Sequence, residues 1–227
     1  ILVNDDGYEV GRECECIKKR KTIKQMKTCG LSADVMSRCR FDNFETSEEW
    51  QKEIKGRAVD FVRAQSRNDG QGERSWWYIG GNPGSGKTHI STAIAMQMMK
   101  QGKSLQYYCW PTLTSKLNAL AAGDSRERQE RERILKDLRS TDVLYIDDFF
   151  KTGNGTVPSA AAVGLAFDII NARYTDPQKI TIISSERTLK EILKIDEGLG
   201  SRIVDRTEPE YRIGISDSPG KNYRLKK

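Results

Sequence analysis

Histidine is nearly absent from this chain: His89 is the one imidazole in 227 residues. A complete four-ligand zinc site would therefore have to rest on cysteine. Cysteine is itself sparse and odd in number, at Cys14, Cys16, Cys29, Cys39 and Cys109. A disulfide framework is not expected. Long hydrophobic runs are missing as well. No stretch approaches the roughly 20 apolar residues that span a bilayer, and no basic head followed by an apolar run opens the chain. No membrane partner is expected, and the cytoplasm is the expected compartment. The sequence also carries no internal repeat, which argues against a solenoid.

What is present is charge. Aspartate, glutamate, lysine and arginine make up 31% of the residues and hydrophobic types 37%, the balance of a well-solvated globular protein with one substantial core. The 38 basic residues outnumber the 32 acidic ones, for a net charge of +6. That excess favours an anionic partner such as nucleic acid. The basic residues cluster early, at Lys18, Lys19, Arg20, Lys21, Lys24 and Lys27, where a charge run reads either as a solvated face or as a nucleic-acid contact. Cys14 and Cys16 have the spacing of half a zinc ribbon, whose other pair would come from residues before Ile1. The absence of an initiator Met fits a truncated chain. Within the chain, zinc would have to draw on Cys29 or Cys39, whose spacing does not match common patterns. Cys109, inside an apolar run, reads as a small buried hydrophobe.

From residue 47 the pattern becomes regular. Trp50, Ile54, Ala58, Phe61 and Val62 recur at helical spacing, and the polar stretch 66–72 ends that helix. Beyond it, strands are expected at 76–79, 105–109, 143–147, 180–184 and 211–215. Helices are expected after residue 88 and at 113–122, 126–139, 160–174 and 189–195. Alternation of this kind predicts an α/β fold with a five-stranded parallel sheet flanked by helices.

The most specific signal sits between the first of these strands and its helix. Residues 81–88 read Gly-Asn-Pro-Gly-Ser-Gly-Lys-Thr, the GxxxxGK[ST] phosphate loop. In such a loop the glycines let backbone N–H groups close on phosphate oxygens, and the helix N-terminus favours negative charge. Gly81, Asn82, Pro83, Gly84, Ser85, Gly86, Lys87, Thr88 and His89 are thus the expected nucleotide-binding residues. Lys87 would reach the β/γ oxygens and Thr88 would ligate Mg²⁺. The third strand ends in Asp147 and Asp148, the form of a Walker B motif. There Asp147 would hold Mg²⁺ through water, and Asp148 would orient or deprotonate the attacking water. The fourth strand also ends in polar groups, Ser185 and Glu186, at the edge where ligands meet such sheets. One of the two is expected to sense the γ-phosphate. Farther on, Arg202 is a candidate for acting on a neighbouring subunit's γ-phosphate, with the surface ion pair as its bland alternative.

Taken together, these motifs resemble the DnaC/DnaI-type bacterial and phage helicase loaders of the AAA+ superfamily, over residues 41–227. Phe41, Asp42, Asn43 and Phe44 look like that family's opening segment, residues 81–89 its Walker A and Ile146 to Asp148 its Walker B. Residues 182–202 are similar to its stretch from sensor 1 to arginine finger, and 220–224 to its closing strand. The resemblance implies a P-loop NTPase core of the AAA+ (ASCE) type without a C-terminal helical lid. It also implies ATP and Mg²⁺ as cofactors, ATP-dependent self-assembly, single-stranded DNA as a ligand and a hexameric replicative DNA helicase as partner. Residues 1–40 would then be the remnant of a basic, zinc-binding region that engages the helicase. The helix at 113–122, with Lys116, would lie on the DNA-contacting surface. Glu186 stands where loaders commonly carry asparagine, which leaves Ser185 and Glu186 both open as sensor 1. Two other functions fit the same motifs: an AAA+ transposition helper acting on duplex DNA, and a nucleotide-gated adaptor with little turnover.

Overall fold

The computed structural model describes residues 2–3, 9–10, 15–67 and 74–223. Strands β1 (Leu2–Val3) and β2 (Glu9–Val10) form a short antiparallel pair. Helix α1 (Glu15–Thr28) carries the lysine-rich run, and α2 (Ala33–Arg38) follows it. Between them Cys29 accepts the backbone N–H of Tyr107 at 2.7 Å, and Leu31 and Met36 are buried. Helix α3 (Glu49–Arg67) then presents Ile54, Ala58 and Phe61 to the interior, as their helical spacing dictates.

Next come β3 (Trp76–Gly81), α4 (Lys87–Lys100), β4 (Leu105–Cys109), α5 (Trp110–Ala122), α6 (Ser125–Ser140) and β5 (Val143–Asp147). They are followed by α7 (Ala160–Tyr174), β6 (Ile180–Ser185), α8 (Leu189–Ile195), α9 (Glu197–Asp205) and β7 (Arg212–Ile215). All five expected strands are present. Their order across the sheet is β4-β5-β6-β3-β7, and every pairing is parallel. Parallel strands covered on both faces read as continuous apolar runs, and β3, β5 and β6 are buried at every position. Among the described residues, β7 is followed only by a 3₁₀ turn at Pro219–Lys221.

Alternate residues of each strand feed two cores. Trp77, Ile79, Tyr145 and Ile182 join α3, α4 and the segment around α2 on one face. Trp76, Tyr78, Leu144, Ile146 and Ile183 join α5 to α9 on the other. The helices are held in register by local chemistry. Asp124 and Glu127 form a capping box at the start of α6, Thr188 and Glu191 another at α8, and Ser159 caps α7.

Arg173 is a further anchor, 0% exposed on α7 beneath the sheet. It donates to the carbonyls of Leu138, Thr141 and Ile180 at 3.1, 2.9 and 2.7 Å and to Thr181 Oγ1 at 2.9 Å. These bonds tie α6, α7 and the starts of β5 and β6 together.

Cys109 departs from expectation. It is half-buried, because β4 is an edge strand with one side of its ladder outside the sheet. Cys29, Cys39 and Cys109 are free thiols. Cys14 and the side chain of Cys16 lie outside the described residues. Among those described, no group of three or more histidine, cysteine, aspartate or glutamate side chains could hold a metal, so the expected zinc site finds no support.

Candidate nucleotide site

Three strand ends build the site. The register sets Ile79 beside Ser184 and Gly80 beside Ser185, so the phosphate loop leaves β3 next to the polar end of β6. Strand β5 lies one place farther, with Asp147 opposite Cys109 of β4. The crevice thus forms outside the carboxyl ends of the strands, where open parallel sheets hold ligands.

The loop's path requires glycine. Gly81, Gly84 and Gly86 have φ of 113°, 72° and 87°, values that L side chains rarely adopt. A Cβ on Gly81 would sit 2.0 Å from the carbonyl oxygen of Ile215, and one on Gly84 2.1 Å from Asn222 Oδ1. The loop is braced from the C-terminal side: Asn82 donates through its side chain to the Ser218 carbonyl at 2.8 Å, and the Tyr223 N–H donates to the Gly84 carbonyl at 3.1 Å. Inside it, Ser85 Oγ donates to the Asn82 carbonyl at 2.7 Å, whereas Pro83 is exposed at the tip.

Lys87, 7% exposed, donates to the carbonyls of Gly81 at 2.8 Å and Asn82 at 2.7 Å. Burial lowers the pKa of its ammonium to about 8, against the opposing pull of Glu186, Asp148 and Asp147. Thr88 is exposed and donates its hydroxyl to Asp147 Oδ1 at 3.2 Å. His89 turns away from the loop: its Nε2 lies 2.8 Å from the Arg40 carbonyl and its ring packs edge-on against Phe44 at 5.3 Å.

Asp147 is the hub. Ser184 donates to its Oδ1, and Tyr107 donates to its Oδ2 at 3.4 Å. Burial, together with the charge of Asp148, pushes its carboxyl above the usual carboxylate range, although the hydroxyls of Ser184 and Thr88 pull the other way. A divalent cation would relieve both costs, and the oxygen donors Thr88 and Asp147 are of the type that hard cations take. The glycine-only cradle and the buried ammonium likewise fit a polyphosphate.

Asp148 follows in a left-handed conformation, φ 53°, which aspartate tolerates better than most residues. Phe150 repeats that conformation at φ 56° and is held there by packing. Phe149 and Phe150 are fully buried, stacked at 4.3 Å, and both meet Trp110 edge-on.

The two sensor candidates part company. Ser185 is buried, donates to the Phe149 carbonyl at 2.6 Å and accepts from the Arg187 N–H at 3.0 Å, so its hydroxyl braces the loop after β5. Glu186 instead pairs with Lys151 at 2.9 Å.

Arg202 stands apart from this cluster. On α9 it donates to Asn171 Oδ1 at 3.0 Å and the Gly198 carbonyl at 2.7 Å, with its guanidinium 4.8 Å from the centroid of Phe167. Lys116 on α5 pairs with Glu130 of α6 at 2.9 Å.

Ser184, Tyr107 and Lys151 were not among the residues expected from sequence. For Ser184 the signal was its place in the polar end of β6; for Tyr107 and Lys151 only the fold supplies it.

Comparison with known proteins gives this geometry a family. Residues 10–227 match the family described as IstB-like ATP binding protein. The chain belongs to that family. Its relatives include the uncharacterized protein YqaM of Bacillus subtilis (strain 168), 33% identical over 218 residues, covering 94% of this chain and 66% of YqaM. The replicative helicase loader DnaC of Buchnera aphidicola subsp. Acyrthosiphon pisum is 24% identical over 204 residues, covering 88% of this chain and 74% of DnaC. Among solved structures, DnaI superposes with a TM-score of 0.63 at 16% identity, covering 83% of this chain and 95% of DnaI. The replication initiator DnaA bound to AMPPCP and single-stranded DNA gives 0.59 at 20% identity, covering 85% of this chain and 53% of that one. The fold is thus the P-loop core of the DnaC-type AAA+ proteins, and ATP is the nucleotide its family binds.

Among the described residues no helix is long and apolar enough to cross a membrane.

Proposed function

We propose that this protein is an ATP-dependent replicative helicase loader: it binds ATP and Mg²⁺, grips single-stranded DNA and helps place a hexameric helicase on it in the bacterial cytoplasm. The observation that carries this reading is the junction of Thr88 with Asp147 in a chain related to DnaC. It brings the phosphate loop and the strand-end carboxylates into one site.

In this reading the backbone of residues 81–86 and Lys87 hold the phosphates, while His89, turned toward Arg40 and Phe44, takes no part in holding them. Thr88 and Asp147 hold Mg²⁺. Asp148 takes the proton of the attacking water as the γ-phosphoryl bond to ADP breaks. Glu186 faces the terminal phosphate, Ser185 fixes the loop that carries Asp148, and Arg202 of a neighbouring protomer stabilises the developing charge. The domain division is part of the same proposal: residues 41–227 form the ATPase domain and 1–40 the helicase-facing region. Lys116 and its helix α5 form the DNA-facing surface.

The test is co-capture of the host's hexameric replicative helicase and single-stranded DNA by the tagged protein. Capture that requires Mg²⁺ and a slowly hydrolysed ATP analogue supports the reading; capture indifferent to nucleotide sinks it. A second reading is favoured by the family match, which is to IstB-like ATP binding proteins in general. It is a transposition helper that assembles on duplex DNA. Tighter ATP-dependent binding to duplex than to single strands, with no helicase recovered, would select it.

A further inference from the structure

We propose that Lys151 is a γ-phosphate sensor: its ammonium, paired here with Asp148 and Glu186, transfers to the terminal phosphate when ATP binds and so distinguishes ATP from ADP. The proposal rests on the nucleotide-binding reading of the site and adds a ligand-contacting residue to it.

The geometry is that of a fixed base with a movable arm. Lys151 Nζ lies 2.9 Å from Glu186 Oε1 and 3.3 and 3.4 Å from the two oxygens of Asp148. Its backbone is held firmly. Its N–H donates to the Asp148 carbonyl at 2.9 Å, and the Phe149 N–H donates to the Ser184 carbonyl at 2.9 Å. Arg187 Nε donates to the Phe150 carbonyl at 3.0 Å, and the stacked Phe149 and Phe150 bury the loop beneath. The lysine side chain above is 36% exposed, free to swing on its four-carbon stem.

Charge explains why a second cation is needed. Asp147, Asp148 and Glu186 converge on the place where a triphosphate would lie along residues 81–88, and Lys87 is the cation of the loop itself. Glu186 at the end of β6 would repel a terminal phosphate unless neutralised. Lys151 neutralises it here. Its ammonium is held above its ordinary pKa by Glu186 and Asp148, despite partial burial, so it carries full charge at neutral pH. The same lysine acts on Lys87 through space, which places the two cations in one electrostatic unit. A γ-phosphate is a stronger acceptor than a carboxylate already sharing its donor, whereas ADP offers none at that end. Departure of Lys151 would also release Asp148 from its ion pair.

The experiment compares equilibrium binding of Mg²⁺–ADP and of a non-hydrolysable Mg²⁺–ATP analogue by calorimetry. Wild type should favour the analogue. Lys151→Met should lose about tenfold of that preference while ADP affinity stays within about twofold, and Lys151→Arg should keep it. Glu186→Gln removes a competing partner and should strengthen analogue binding, which provides a test independent of Lys151→Met folding. An unchanged preference in Lys151→Met, or equal loss for both nucleotides, would show the lysine to be a structural ion pair and overturn the proposal. If wild type binds neither nucleotide, the failure lies in the site reading itself.

Discussion

Thr88 on α4 and Asp147 on β5 are joined by a 3.2 Å hydrogen bond across the sheet's carboxyl edge. The link couples the helix that follows the phosphate loop to the strand that ends in the carboxylates. In the proposed function these two oxygens hold one Mg²⁺ between them. Thr88→Ala and Asp147→Asn should therefore remove most of the Mg²⁺-dependent part of nucleotide affinity, about tenfold or more. Titrating a fluorescent ATP analogue with Mg²⁺ and with EDTA checks this. Wild type should weaken on chelation and the variants should not; variants that remain as Mg²⁺-responsive as wild type would count against the assignment.

Arg173 should prove a stability determinant. Its buried guanidinium donates to carbonyls at the starts of β5 and β6, and methionine would remove those bonds. Arg173→Met should cost about 3 kcal/mol of unfolding free energy, read as a lowered denaturant midpoint. A midpoint unchanged from wild type would mean that water replaces the lost bonds.

Asp142 gives a pH prediction of definite sign. Burial raises its pKa, but the backbone N–H and hydroxyl of Ser104, at 2.9 and 2.7 Å, and the nearby Lys179 outweigh that, and the net shift is downward. A carboxylate held below its unfolded value contributes stability that is complete above that value, near 4, and lost as pH falls through the folded one. Wild type should lose stability between about pH 5 and pH 2 more steeply than Asp142→Asn. Parallel acid-unfolding curves for the two proteins would contradict this.

Arg202 is packed against Phe167 and Asn171 of its own chain. If it also completes a neighbour's site, ATP turnover per protomer should rise with protein concentration in wild type and stay flat in Arg202→Ala, with about a hundredfold or greater gap at high concentration. Nucleotide affinity should be spared. Equal concentration dependence in both proteins would leave Arg202 a structural residue.

Much of the fold was legible in the sequence because both its periodicities were strong. Buried parallel strands announce themselves as apolar runs, and Gly81, Gly84 and Gly86 could be read as loop residues because few alternatives suit a left-handed backbone. Helix α9 was hidden, since Gly198 and Gly200 interrupt its period; Asp196, which caps it, and the buried Leu199 and Ile203 stabilise it nonetheless. Helix α1 was hidden by the opposite problem, a lysine-rich sequence with few apolar positions. In the site, Lys87, Thr88 and Asp147 were visible because a motif fixes their spacing. Ser184, Tyr107 and Lys151 take their partners from other strands or loops, so only the assembled sheet shows them. Arg173 carries no signal of its own, because its partners are backbone carbonyls that leave no mark in the sequence.

The most direct test of ATP-gated action on DNA is the anisotropy of a labelled single-stranded oligonucleotide titrated with this protein in Mg²⁺–ATP analogue, in Mg²⁺–ADP and without nucleotide. Wild type should bind at least about tenfold more tightly with the analogue than with ADP, and Lys87→Ala should bind weakly and equally in all three. Wild-type binding that is the same with and without nucleotide would contradict the proposed function.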